Sequence, residues 1–200
     1  MTPTDIAYAD EFACRIKLLA IARVTERGLE QRVHPCLVPV ETAIAHVDGV
    51  VNAVVAEGDY VGSTVFEGRG AGAGPTASAV VADLVDIAAN RHVYPFGVPT
   101  KQLKRLRPAP MREHVSRYYI RLMVYDRPGV IAEVSAVLRD QRISIESLVQ
   151  RGRAEAADQA VAVVLIIHEV VEAAMRHAMD RIGRLKSVVE PPCVIRIEQL

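Results

Sequence analysis

Tryptophan is absent and aromatic residues make up only 4% of the 200-residue chain, so there is no aromatic platform on which unpaired bases would stack. Neither sign of charge is in excess. The 24 Lys and Arg residues face 24 Asp and Glu, which removes any whole-chain reason to expect nucleic acid or an anionic membrane as partner. No apolar run reaches the roughly 18 residues needed by a membrane-spanning helix. The start, MTPTDIAYADEF, lacks a cationic region followed by an apolar stretch and does not read as a secretory signal. The three cysteines, Cys14, Cys36 and Cys193, are odd in number, far apart and outside any CxxC pair. They read as reduced thiols of a cytoplasmic protein, with no metal site and no disulfide framework.

What is present suffices for a core, since half of the residues are hydrophobic. The chain is long enough for one large or two modest domains. The stretch RHVYPFGVPTKQLKRLRPAPMREHVSR, 91–117, contains Pro95, Pro99, Pro108 and Pro110 and holds no helical or strand period. It reads as a linker. Its Lys101, Lys104, Arg105, Arg107 and Arg112 face only Glu113. With no aromatic residue interleaved among them over 101–112 and no groove-binding helix, they are expected to form a solvated face.

Before the linker the sequence predicts a short helix over 5–14 with Thr4 as its N-cap. A strand is expected at 16–24, and another at 30–40 with Pro35 and Pro39 fixing its edges. Strands at 49–56 and 60–66 flank a turn at Glu57-Gly58-Asp59. Over 76–90 the apolar residues Ala77, Val80, Val81, Leu84 and Ala88 recur at helical steps. Val85 and Ile87 widen that face, so this helix is expected to be covered on more than one side. After the linker the order is strand 118–125, helix 129–140, strand 144–149, strand 159–167, helix 169–183 and strand 194–198. This βαββαβ order is the ferredoxin-like arrangement, with both helices on one face of an antiparallel sheet. The other face and the sheet edges are expected to find cover in a second copy of the chain.

Two segments suggest ligands. In the second domain, Asp126-Arg127-Pro128-Gly129-Val130 joins a strand to a helix. Pro128 suits a first helical turn, Gly129 allows close approach, and the positive helix end suits a carboxylate. Asp126 would meet an ammonium group, as in an amino acid. The same residues also suit a capped turn without a ligand, and both readings stand at this level. In the first half, GRGAGAGPT, 68–76, leads from a strand into the 76–90 helix, in the manner of a phosphate-cradling loop. A complete dinucleotide fold would need a parallel strand after that helix, but the proline-rich stretch follows instead. A flexible turn is the simpler reading of the residues alone. Lys17 and His34 are read as structural residues, His34 at a strand end, and Asp83 and Asp86 as the polar side of a helix.

VYDRPGVIAEVSAVLRDQRISIESLVQ and the strand and helix after it resemble an ACT domain over 117–200. That resemblance implies effector binding by Asp126, Pro128, Gly129, Val130, Ile143 and Ser144, with threonine the leading amino acid, and homo-oligomerisation through this domain. YADEFACRIKLLAIARV, HPCLVPVETAIAHVDGVVNAVVAEGDYVG and GRGAGAGPTASAVVADL, in that order, resemble the C-terminal part of homoserine dehydrogenase over about 4–90. The implied fold is α+β, a partial catalytic domain at 1–90, a basic linker at 91–116 and an ACT domain at 117–200. The implied activity is the NAD(P)-dependent interconversion of L-aspartate semialdehyde and L-homoserine in threonine and methionine biosynthesis, under amino-acid feedback. Gly70, Ala71 and Gly72 would lie beside the nicotinamide nucleotide. The family's nucleotide domain and its catalytic lysine and aspartate correspond to no residue here, so no catalytic residue is assigned and the chain alone is expected to bind no cofactor and to be inactive. The alternative is a free-standing ACT-type regulatory protein that binds an amino acid without catalysis.

Overall fold

The computed structural model describes residues 1–91, 93–152 and 159–199; the remaining parts of the expected linker and ACT regions lie outside the described residues. The chain divides into two compact units. One combines Met1–Val40 with Arg107–Leu200, and the other is Glu41–Leu106.

The first unit is built on a six-stranded sheet. Its N-terminal part supplies α1 (Pro3–Glu11), β1 (Cys14–Thr25) and β2 (Gly28–Pro39). Its C-terminal part supplies β5 (Val115–Tyr125), α3 (Val130–Asp140), β6 (Ile145–Gln150), β7 (Ala160–Val171), α4 (Glu172–Ile182) and β8 (Cys193–Ile197). The strand order is β1-β2-β8-β5-β7-β6. Within it, β8-β5-β7-β6 is the expected antiparallel ferredoxin-like sheet. The junction with β2 is parallel and only two residue pairs long, Cys36 with Arg196 and Leu37 with Ile197.

This junction departs from the sequence expectation. One sheet edge finds its cover in β2 of the same chain, so the compact units do not divide at 90 and 116. The C-terminal end of the proline-rich stretch also joins the sheet. The Leu29 N–H donates to the Arg107 carbonyl at 2.8 Å, and the Ala109 N–H donates to the Leu29 carbonyl at 2.9 Å. Lys101, Lys104, Arg105, Arg107 and Arg112 are solvent-exposed, as a solvated face requires.

Strand β5 alternates so that Tyr118, Ile120, Leu122 and Val124 pack with Val163, Leu165 and Ile167 of β7 under α3 and α4. Period-two alternation sends Tyr119, Val164 and Ile166 to the opposite face. There Tyr8, Ala9 and Phe12 of α1 cover them, together with Leu37, Ile195 and Ile197. The second face is thus covered in part from within the chain. Helix α1 begins two residues earlier than its sequence suggests, because Pro3 takes the first helical position, where its missing N–H costs nothing. Thr2, rather than Thr4, is the N-cap.

Pro35 lies inside β2, opposite Leu18, and does not end the strand. Counted from the two-residue turn that closes at Thr25 and Gly28, this is a non-hydrogen-bonded pair, so proline removes no bond to β1. β8 pairs with β2 only from Cys36 onward.

The second unit contains the hairpin of β3 (Val51–Gly58) and β4 (Gly62–Arg69), followed by α2 (Ala73–Ala88). The turn falls at 59–61, slightly later than its sequence suggests, with Gly62 in the left-handed region at φ +71°. No residue of α2 is buried. Val80, Val81, Leu84, Val85 and Ile87 are each more than half exposed, so the expected cover on two sides is not provided by the described residues of this chain.

Candidate functional site

Gly70, Ala71 and Gly72 connect β4 to α2 and are exposed. A Cβ on Gly70 would lie 1.5 Å from Nδ2 of Asn52, so glycine lets the Asn52 side chain cross the segment. Gly72 is the N-cap of α2 with φ +121°, a conformation that side-chain-bearing residues avoid. The segment therefore offers an open helix start after an antiparallel hairpin, without the parallel strand pair of a complete dinucleotide fold.

The loop between β5 and α3 has Gly129 as its N-cap in the left-handed region at φ +95°, with open space where its side chain would be. Asp126 Oδ1 accepts a hydrogen bond from Gln150 Nε2 at 3.2 Å, which ties the loop to β6. Arg127 lies over the Tyr125 ring at 5.0 Å from its centroid. Val130 and Ile143 are buried in the core beneath α3, whereas Ser144 is exposed and its carbonyl accepts from the His168 N–H. The structure therefore brings Asp126, Pro128 and Gly129 to one exposed loop, while the Ile143 side chain serves packing.

Two buried polar clusters were not visible in the sequence. In the first, Asp5 of α1 is fully buried. Its Oδ1 accepts from Arg121 Nε at 2.7 Å and from the Tyr119 hydroxyl at 3.0 Å. Its Oδ2 accepts from the Thr2 N–H at 2.6 Å. Burial opposes ionisation, but these donors outweigh it and hold the carboxyl below its ordinary pKa. Arg121 also donates to Glu190 at 2.8 Å.

The second cluster lies on the parallel junction. Arg32 Nε and Nη2 grip Glu198 at 3.2 and 2.9 Å. Arg32 also pairs with Glu30, whose carboxylate lies 3.3 Å from His114 Nδ1. His34 and Cys36, two residues apart on β2, share one face and project toward Glu198, as their approach distances require. Lys17 stands opposite Cys36 on β1 and is half-buried. His34 is inside its strand rather than at its end. Burial lowers the pKa of His34 and of His114, and pushes the Cys36 thiol up to about 12, with Glu198 adding to the rise. Arg196 neighbours this group and donates to Glu172 at 2.6 Å, and the Tyr118 hydroxyl donates to Glu172 at 2.9 Å. Only the His-x-Cys spacing was available as a signal. Its partner Glu198 lies at the far end of the sequence.

The β8-β5-β7-β6 sheet under two helices defines the second part of the chain as an ACT-type α+β domain, and residues 118–188 match the ACT domain model. Residues 1–85 match the homoserine dehydrogenase family model, so the chain carries part of a homoserine dehydrogenase domain joined to an ACT domain. The similarity extends over the whole chain. The homoserine dehydrogenase of Pseudomonas aeruginosa is 42% identical over 100% of this chain and 47% of its own length. That of Neisseria gonorrhoeae is 42% identical over 98% of this chain and 46% of its own. The crystal structure of a homoserine dehydrogenase from Thiobacillus denitrificans superposes with a TM-score of 0.85 at 42% identity, covering 99% of this chain and 46% of that one. The chain thus spans about half the length of the curated relatives it matches. No helix among the described residues is long and apolar enough to cross a membrane.

Proposed function

We propose that this chain is the C-terminal portion of a cytoplasmic homoserine dehydrogenase, an NAD(P)-dependent enzyme that interconverts L-aspartate semialdehyde and L-homoserine under amino-acid feedback. The observation that carries the reading is the 42% identity to the Pseudomonas relative over an alignment that spans the whole chain. In this reading Gly70, Ala71 and Gly72 border the nicotinamide nucleotide. The open helix start and the exposed apolar side of α2 suit residues that work against a further domain. Asp126, Pro128, Gly129, Val130, Ile143 and Ser144 build the effector site, with threonine the first candidate. Of the two outer strands of the sheet, β6 belongs to the ACT domain and gives homo-oligomerisation an edge to use.

The 200-residue chain by itself is expected to give no NAD- or NADP-linked oxidation of homoserine above a mock preparation. It holds no parallel βαβ nucleotide unit among its described residues. Turnover by the purified chain would overturn that part of the reading.

Calorimetry tests the regulatory part. Threonine is expected to bind, and Gly129→Val to weaken binding by about 1–3 kcal/mol, the scale of charge-assisted hydrogen bonds to a carboxylate. A β-branched residue at φ +95° is strained, so the loop must shift the backbone groups that meet the ligand. No heat with threonine, lysine, methionine or isoleucine would remove the effector role.

A further inference from the structure

The junction of β2 with β8 holds a feature that neither the catalytic nor the regulatory reading uses. His34 Nδ1 lies 3.2 Å from the Pro35 carbonyl. The same nitrogen lies 3.2 Å from Cys36 Sγ, so this edge of the ring meets both a carbonyl and a thiol. Nε2 is buried without a hydrogen-bond partner. The atom it faces is Oε1 of Glu198, 3.7 Å away, which is another acceptor. A buried ring nitrogen with no hydrogen bond of its own, beside a carboxylate, is a position that a cation can satisfy.

We propose that His34, Cys36 and Glu198 form a binding site for a single divalent cation of the zinc class. Their ligand atoms all lie within 4.8 Å of one another, and Cys36 Sγ is 3.2 Å from the imidazole. Zinc bonds of about 2.0–2.3 Å to nitrogen, oxygen and sulfur set tetrahedral ligand separations of about 3.3–3.6 Å. Small side-chain rotations reach that spacing. A mixed imidazole, thiolate and carboxylate set suits a borderline-soft ion rather than magnesium or calcium. The outer contacts are those of a metal site. The Pro35 carbonyl lies 3.2 Å from the far ring nitrogen, and Arg32 orients the carboxylate with two hydrogen bonds. Cys36 is a thiol before binding, and coordination expels its proton to solvent, so one S–H bond is exchanged for one metal–sulfur bond. His34 keeps 13% of its side chain exposed, which gives the ion an approach. The site spans both strands of the parallel junction, so the ion would hold the N-terminal hairpin to the ACT sheet. Isolated cysteines point to no metal site in the sequence, and the third ligand of this one lies far along the chain, just after β8.

The test is a cobalt(II) titration of the full chain after chelator treatment. The expected result is saturation at one equivalent, with a sulfur-to-cobalt charge-transfer band in the near ultraviolet and tetrahedral absorption in the visible. Zinc should displace the cobalt, and calorimetry in buffers of different ionisation enthalpy should report release of one proton. Cys36→Ser should abolish the charge-transfer band, and His34→Gln should weaken binding by at least about tenfold, the lower end of what loss of supporting contacts does to metal sites. A folded unmodified chain that shows no saturable cobalt band overturns the proposal, as does a band that persists in Cys36→Ser. So does an NMR titration showing the His34 ring doubly protonated at neutral pH, since the proton would then fill the gap.

Discussion

Asp5→Ala should cost about 3–5 kcal/mol of the first unit's stability, the usual result of stripping one partner from a buried ion pair. Asp5 is fully buried, and the Arg121 side chain is 6% exposed. Truncation leaves the guanidinium with only Glu190, which is half-exposed, and leaves the Tyr119 hydroxyl without its acceptor. The loss should not measure the value of the pair itself. Asp5→Leu combined with Arg121→Met removes both charges and should recover much of it. Denaturant unfolding of the two single variants and the double variant provides the cycle. A single-variant loss below about 1 kcal/mol, the scale of exposed pairs, would show that water reaches the site. The pH dependence has a definite sign. The folded carboxyl titrates below its ordinary value. Its contribution is therefore complete above the unfolded pKa and is lost as the pH falls through the folded one.

Leu165→Ala should cost about 2–5 kcal/mol, because it removes buried methyl groups and leaves a cavity. Leu165 is fully buried at the centre of β7, between Ile120 on β5 and Leu148 on β6. The same substitution at Leu18, which is 72% exposed on β1, should stay within about 0.5 kcal/mol. Leu18 shares its sheet face with Val24 and Val33, both about 70% exposed. A loss at Leu18 comparable to that at Leu165 would mean that this face is covered in solution.

The contrast between these two leucines bears on what the sequence discloses. QAVAVVLII is apolar at every position after its glutamine, and a strand buried on both faces is the structure that uses such a run. The βαββαβ order could therefore be read in full, as could the α2 segment. Strand β1 carries a shorter apolar run at 18–22, yet one of its faces is open in this chain. Composition reports that a face wants cover, not which element supplies it. The same limit explains why the compact units of the fold cut across the expected segments. The Pro-rich stretch from 91 onward was a sound place to expect a break in local pattern, but β2 joins β8 through only two residue pairs, and so short a pairing leaves no periodicity to detect. The role of Asp5 toward Arg121 depends on a strand more than a hundred residues away, and no local pattern discloses it. His34 and Cys36 were legible as residues, but their grouping with Glu198 was not. For the glycine segment and the Asp126–Gly129 loop, local chemistry was enough to single out the positions, since a helix start advertises itself in its capping residues.

The parallel junction also dictates an order of events during synthesis. Arg32 and Glu198 are separated by 166 residues, and ribosomes add about 5–20 residues per second. The β1–β2 hairpin, closed by a two-residue turn, can form within microseconds of leaving the ribosome. It must then wait many seconds for β8, which is the strand that seats it. During that interval its open edge and its exposed leucine and valines are accessible to any other strand or chaperone in the vicinity. The second unit is complete before that wait ends, so the β1–β2 hairpin is made well before the strand that seats it.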